Sequence, residues 1–228
     1  MEQTHIKGIK MKLKLNQNSI EVLKNFAAIC NNIQFKTGNV VKTRSASNTV
    51  IGMATLDQTI PTDFAVFDLS KFLSVLSLYK DPELDFNDRY VSIGEDNRYV
   101  KYQYSDPKTI VSFDYDKKLK SPPVLTTFKI TNEQFIRIMK ASSVLSSQNI
   151  VIEGKDGKIY VMTQDIKNPA SDVFEIEIGA TEKTFKVVYD ASVFKLLPED
   201  YNVTIFESQM TMLECDRVTY YIAATITK

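Results

Sequence analysis

Residues 65–86 read AVFDLSKFLSVLSLYKDPELDF, and a second version, KVVYDASVFKLLPEDYNVTIF, returns at 186–206. In each, an apolar-aromatic run ends on an aspartate, Asp68 or Asp190. A short helical pattern follows, with phenylalanine at the same offset, Phe72 or Phe194. This restart constrains the chain to two like modules, and 228 residues are enough for two compact domains.

The surroundings repeat as well. The first half opens MKLKLNQNSIEVLKNFAAIC: Met11, Leu13 and Leu15 alternate as in a strand. Asn18 and Glu21 have capping-box spacing, and Ile20, Leu23, Ala27 and Cys30 share a helical stripe. The second half opens TFKITNEQFIRIMKASSVL, with Phe128 and Ile130 alternating, Thr131 and Gln134 as the capping box, and a stripe through Phe135, Ile138, Met139, Ser142 and Leu145. Hairpins follow, turning near Gly38 in one half and at Asp156-Gly157, a type I′ pair, in the other. The expected class is α+β, two tandem copies of a β-α-β-β-β-α-β-β-β module. The first module covers residues 1–114, with 1–10 a possible N-terminal extension because Met11 opens the first patterned segment. Consecutive prolines at 122 and 123 forbid helix and interior strand, so 115–127 reads as an extended connector; 128–228 is the second module.

Net charge is zero, with 28 basic and 28 acidic residues, which argues against simple electrostatic coating of nucleic acid. Local sorting is another matter. The helical segments 19–30, 69–80, 132–145 and 190–197 carry six basic residues, Lys24, Lys71, Lys80, Arg137, Lys140 and Lys195, against three acids, Glu21, Glu133 and Asp190. The acids fall in first turns or caps, where the helix dipole favours them. Lys71, Ser74 and Ser77 lie opposite the Leu69/Phe72/Leu73/Leu76 stripe, and Arg137 and Lys140 lie opposite Phe135/Ile138/Leu145. Helices that all expose a mildly basic face suit loose contacts to phosphates without base reading.

Catalytic chemistry finds little to work with. His5 is the single histidine, which nearly excludes imidazole acid–base or triad catalysis. The glycines are scattered through turns and form no phosphate-cradling loop. Asp85, Asp88, Glu95 and Asp96 read as solvated hairpin loops rather than a metal site, although a metal-dependent nuclease would need such a cluster. No cofactor, metal or catalytic residue is expected. Cys30 and Cys215 do not suggest a disulfide scaffold, and no apolar run approaches membrane-spanning length, so a soluble cytoplasmic setting is expected.

VLKNFAAICNNIQFKTGNVVKTRSASNTV followed by DFAVFDLSKFLSVLSLYKDPEL resembles the first domain of the replicative sliding clamps of T-even-type tailed phages, through LKNFA and the FDL…FLxxLSL segment. TYYIAATI resembles the closing strand of proliferating cell nuclear antigen, the cellular clamp. The resemblance implies the DNA clamp fold, helices on one face of curved antiparallel sheets. It also implies a homotrimeric ring around duplex DNA that tethers the replicative polymerase, is loaded by an ATP-driven clamp loader and works in the cytoplasm of the infected host. Lys24, Lys71, Arg137, Lys140 and Lys195 would then face DNA without sequence specificity. The subunit contact would pair TIVSFD, carrying Ile110 and Phe113, with DVFEIEI, carrying Val173, Phe174 and Ile176. Partner peptides would dock at Leu119, Pro122 and Val124 on the connector with Tyr221 and Ala223 on the last strand. The competing expectation is a clamp-fold interaction scaffold that forms no closed ring.

Overall fold

The computed structural model describes residues 11–111, 113, 115 and 122–225. The chain runs through one motif four times: a strand, a helix or tight helical turn, then three strands. The first pass is β1 (Met11–Leu13), α1 (Gln17–Ile29), β2 (Ile33–Phe35), β3 (Gly38–Arg44) and β4 (Val50–Ile60). The second is β5 (Phe64–Val66), α2 (Leu69–Leu76), β6 (Glu83–Phe86), β7 (Tyr90–Glu95) and β8 (Arg98–Gln103), trailed by a 3-10 turn at Pro107–Thr109. The third is β9 (Val124–Ile130), α3 (Asn132–Val144), β10 (Asn149–Lys155), β11 (Lys158–Gln164) and β12 (Phe174–Ala180). The fourth is β13 (Phe185–Asp190), a 3-10 turn at Ala191–Val193, β14 (Tyr201–Phe206), β15 (Met210–Glu214) and β16 (Val218–Ala223). Each half therefore holds one more strand than the repeat alone suggests. The fourth helical element shrinks to a single turn, and Lys195 sits just beyond it.

The motifs interlock in pairs. β1 joins β6, β7 and β8 in one sheet, and β9 joins β14, β15 and β16 in the same order. β13, β10, β11 and β12 form a third set, which β5–β2 and β3–β4 reproduce in the first half as two adjacent pieces. β16 then hydrogen-bonds to β4, so one six-stranded sheet, β3-β4-β16-β15-β14-β9, runs across both halves. Among the described residues one large apolar cluster runs through both halves, from Val22, Leu23 and Phe26 to Tyr220 and Ile222.

Local chemistry sets the element ends. Thr131 and Gln134 form the expected reciprocal capping box on α3. On α1 the cap is Asn16, whose side chain accepts the Ser19 amide; Asn18 lies inside the helix, and the buried stripe is Ser19, Val22, Leu23 and Phe26. Asp156 and Gly157 both take positive φ, as a type I′ hairpin requires. No tight hairpin forms at Gly38. Instead the Asp63 carboxylate takes the Thr37 amide at 2.7 Å and the Lys36 ammonium at 2.8 Å, while β2 pairs with β5. The connector region also ends earlier than the prolines alone imply: Val124 already pairs with Phe206, and Thr126 and Thr127 continue the ladder.

Candidate nucleic-acid face and edge strands

Three of the basic positions fall on one connected patch. The Asn31 carbonyl accepts the Leu69 amide at 2.7 Å, and its side chain accepts the Ser70 amide at 2.8 Å, which ties the end of α1 to the start of α2. Asp68 caps α2 through the Lys71 amide. From the other half, the Lys195 carbonyl accepts the Asn25 side chain at 3.0 Å. Lys24, Lys71 and Lys195 thus project from neighbouring backbone and are exposed, as is Lys140 on α3. None of these four enters an ion pair among the described residues. Arg137 is different: its guanidinium already pairs with Glu133 one turn back, at 2.8 Å. The Ser74 and Ser77 hydroxyls turn back onto the Ser70 and Ser74 carbonyls, leaving the lysines as the long-reaching donors of the α2 face.

Two of the open sheet edges are formed by the last strand of a motif. β8 ends one four-stranded sheet and β12 ends another, each paired on one side only. Along β12, Phe174, Ile176 and Ile178 point toward the core yet stay half-buried, and Val173 just before the strand is 52% exposed. Along β8, Val100 and Tyr102 are similarly half-buried opposite the fully buried Ile93 and Val91.

The expected first-module edge at TIVSFD is corrected. Thr109 belongs to a 3-10 turn, and Ile110 and Phe113 are already buried within their own chain. The Val111 amide donates to the Asn32 side chain at 3.0 Å. Further on, the Lys42 ammonium sits 5.0 Å from both the Phe113 and Tyr115 ring centres. The Tyr115 hydroxyl donates to the Gln34 carbonyl at 2.8 Å and accepts the Lys42 amide at 3.1 Å. Burial pushes that phenol up to about 12. Among the described residues of this segment none lies in a strand, and Ile110, Phe113 and Tyr115 are held against their own chain. Sequence reasoning missed β8 as the open edge because RYVKYQ is polar on its outward positions, and the apolar TIVSF drew that assignment instead.

The partner-site candidates fall in two groups. Tyr221 and Ala223 alternate with buried Tyr220 and Ile222 on β16, so they face away from the core. Val124, 54% exposed, and Pro122 lie at the β9 edge of the same sheet, three strands away, roughly 14 Å at ordinary strand spacing. Leu119 lies outside the described residues. Among the described residues no group of three or more histidine, cysteine or carboxylate side chains could hold a metal ion.

Known proteins point the same way as this geometry. A family described as DNA polymerase processivity factor matches residues 14–112. The sliding clamp of Vibrio phage KVP40 is 29% identical over 219 residues, covering 92% of this chain and 98% of the relative. That of Escherichia phage RB69 is 28% identical over 222 residues, covering 92% and 96%. In a solved structure titled as the C-terminal region of FEN-1 bound to A. fulgidus PCNA, the matching chain has a TM-score of 0.70 at 12% identity, over 95% of this chain and 99% of that one. Motif order, sheet topology and these relatives agree: residues 14–112 match the DNA polymerase processivity factor family, and over nine-tenths of its length the chain is similar to phage sliding clamps.

Proposed function

We propose that three copies of the chain close head to tail into a ring around duplex DNA and hold a replicative polymerase on its template. The observation that carries this reading is the pair of open edges. Within the chain, the last strand of the fourth motif, β16, seals against the last strand of the first, β4. The second and third motifs end on β8 and β12, the only last strands among the described residues left without such a partner. Repeating the internal joint between subunits pairs β8 with β12 and generates a closed heterologous assembly.

The register of the internal joint transfers. Leu84↔Ile93↔Val100 occupies the place of Val203↔Leu213↔Tyr220, and Thr43↔Gly52 that of Thr163↔Phe174. Tyr220 faces Gly52 inside the chain, so Val100 would face Phe174 of the next copy, with the bulky ring moved to the opposite strand of the joint. With Val173 and Ile176, Phe174 keeps its place in the subunit contact, while Ile110 and Phe113 leave it.

In such a ring Lys24, Lys71, Lys140 and Lys195 contribute screened, non-specific phosphate contacts that permit sliding. A partner peptide laid across the outer row Tyr221–Met212–Thr204–Thr127 would reach from the Ala223 end of β16 toward Val124 and Pro122. The peptide-bound A. fulgidus clamp supports a site of this kind. The ring acts without catalysis, is opened by an ATP-driven loader and works in the cytoplasm of the infected host. Light scattering across a concentration series tests the assembly: a mass near three chains is expected, together with retention on circular DNA and loss on linear DNA. A chain that stays monomeric at every concentration, with or without DNA and loader, overturns the ring in favour of a non-ring scaffold.

A further inference from the structure

The internal joint carries an ion pair beside its strands. Arg217, in the β15–β16 turn, reaches across to Glu21 on α1 at 3.0 Å and also pairs with Glu199. Both partners have counterparts at the open edges. The burial pattern of α1 over Ser19, Val22 and Phe26 recurs on α3 at Phe135, Ile138 and Ser142, which sets Arg137 in the place of Glu21 and Lys140 in that of Lys24. Cys215↔Val218 and Glu95↔Arg98 close two hairpins of equal length, so Asp96-Asn97 stands where Asp216-Arg217 stands.

The sign is reversed on the helix, and the turn loses its base: neutral Asn97 stands in the place of Arg217, leaving Asp96, the counterpart of Asp216, beside Glu95. The internal joint sets an acid on the helix against a base in the turn. The open edges offer a base on the helix, Arg137, and an acidic turn, Glu95-Asp96. Glu95 is already engaged by the Lys80 amide at 3.1 Å, while Asp96 is exposed and in no ion pair among the described residues. We infer that Arg137 of one copy pairs with Asp96 in the β7–β8 turn of the next, as a charge lock on the subunit joint. This rests on the head-to-tail reading above. This difference also keeps the two joints apart: α1 offered to the β7–β8 turn sets Glu21 against Asp96, and α3 offered to the β15–β16 turn sets Arg137 against Arg217. Like charges in such places select against the wrong order of halves. The guanidinium fork can hold Glu133 and a second carboxylate together.

A charge-reversal cycle tests the lock. Wild type, Arg137→Glu, Asp96→Arg and the double variant are compared by sedimentation over a concentration series at low and high salt. Circular dichroism confirms that each variant is folded, which both exposed positions should allow. Each single reversal is expected to weaken assembly about tenfold or more at low salt, and the double variant to recover to within about threefold of wild type. Singles that assemble like wild type, or a double no better than its parents, overturn the pair while leaving the ring intact. Arg137→Glu that lowers only retention on DNA, at unchanged mass, makes Arg137 a DNA contact and overturns the lock as well. If wild type never assembles, the ring reading itself fails and takes the lock with it.

Discussion

The β4–β16 joint and the β8 and β12 edges are the same construction in two conditions. At the joint, Val50, Gly52 and Ala54 meet Ile222, Tyr220 and Val218, every one of them buried. At the edges, Phe174, Ile176, Val100 and Tyr102 stand in matching positions and remain half-covered. The difference is not one of composition, since the edges are at least as rich in large apolar and aromatic residues. It is one of connectivity: a single chain of four motifs can close one joint by itself and must leave one donor and one acceptor edge. Half-buried apolar residues on an unpaired edge are a liability for a monomer and an asset for a ring.

The contrast breaks most sharply at Tyr220. Its side chain is fully buried, and its hydroxyl donates to the Asn25 side chain at 2.7 Å, bracing the joint against α1. Tyr220→Ala is expected to cost about 3–5 kcal/mol of unfolding free energy in urea, independent of protein concentration. Phe174→Lys, on the open edge, should act in the opposite way. Assembly is expected to fall on the order of a hundredfold, while the dissociated chain loses less than about 1 kcal/mol. A Phe174→Lys chain destabilised as much as Tyr220→Ala would mean that β12 belongs to the monomer core, and the two regions would cease to differ.

Gly52 sharpens the comparison within the joint. A Cβ there would stand 2.9 Å from a Phe26 ring carbon and 3.0 Å from the Thr43 methyl, inside a core with no slack. Gly52→Ala is expected to cost about 1–3 kcal/mol by overpacking, read from the same urea curves. Its counterpart Phe174 is already large, so Phe174→Leu should leave the monomer's unfolding unchanged within about 1 kcal/mol. Equal costs at the two sites would argue that the transferred register is wrong.

Much of this was readable beforehand. The repeated Asp-helix-Phe segments marked the second and fourth motifs, and the alternations at Met11–Leu15 and Phe128–Ile130 marked the strands opening the first and third. The type I′ pair and the Thr131 box are local chemistry, and both formed as read. What failed was decided by distant partners. Asn16 rather than Asn18 caps α1, and its side chain is further held by Asp57, 41 residues along the chain and invisible to a local window. TIVSF has the composition of a strand, but the Lys42 amine and the Gln34 carbonyl recruit the segment around Phe113 and Tyr115 to another surface. The lysine face could be read because helical periodicity fixes which residues look outward. Of the two open edges, the one at Phe174 came with the family resemblance, but β8 could not be read as one, because an edge is defined by the absence of a neighbour and no pattern in a single strand encodes absence.

The smallest effect concerns the charge beside the sealed joint. The Glu21 carboxyl is held below the ordinary carboxylate range, first by the hydrogen bond from Arg217 and then by the Gln17 amide. A carboxyl depressed in the folded state adds stability above its unfolded value, about 4.3, and loses it as pH falls through the folded value. Wild type should therefore lead Glu21→Gln by a constant margin from pH 7 to about 5. The margin should shrink through about pH 4 and vanish below the folded value, as read from urea midpoints at each pH. A margin that grows on acidification would mean that Glu21 is strained against a neighbouring acid rather than held by Arg217. The joint would then lack the ion pair from which the subunit lock is inferred, so this modest titration bears directly on the larger assembly.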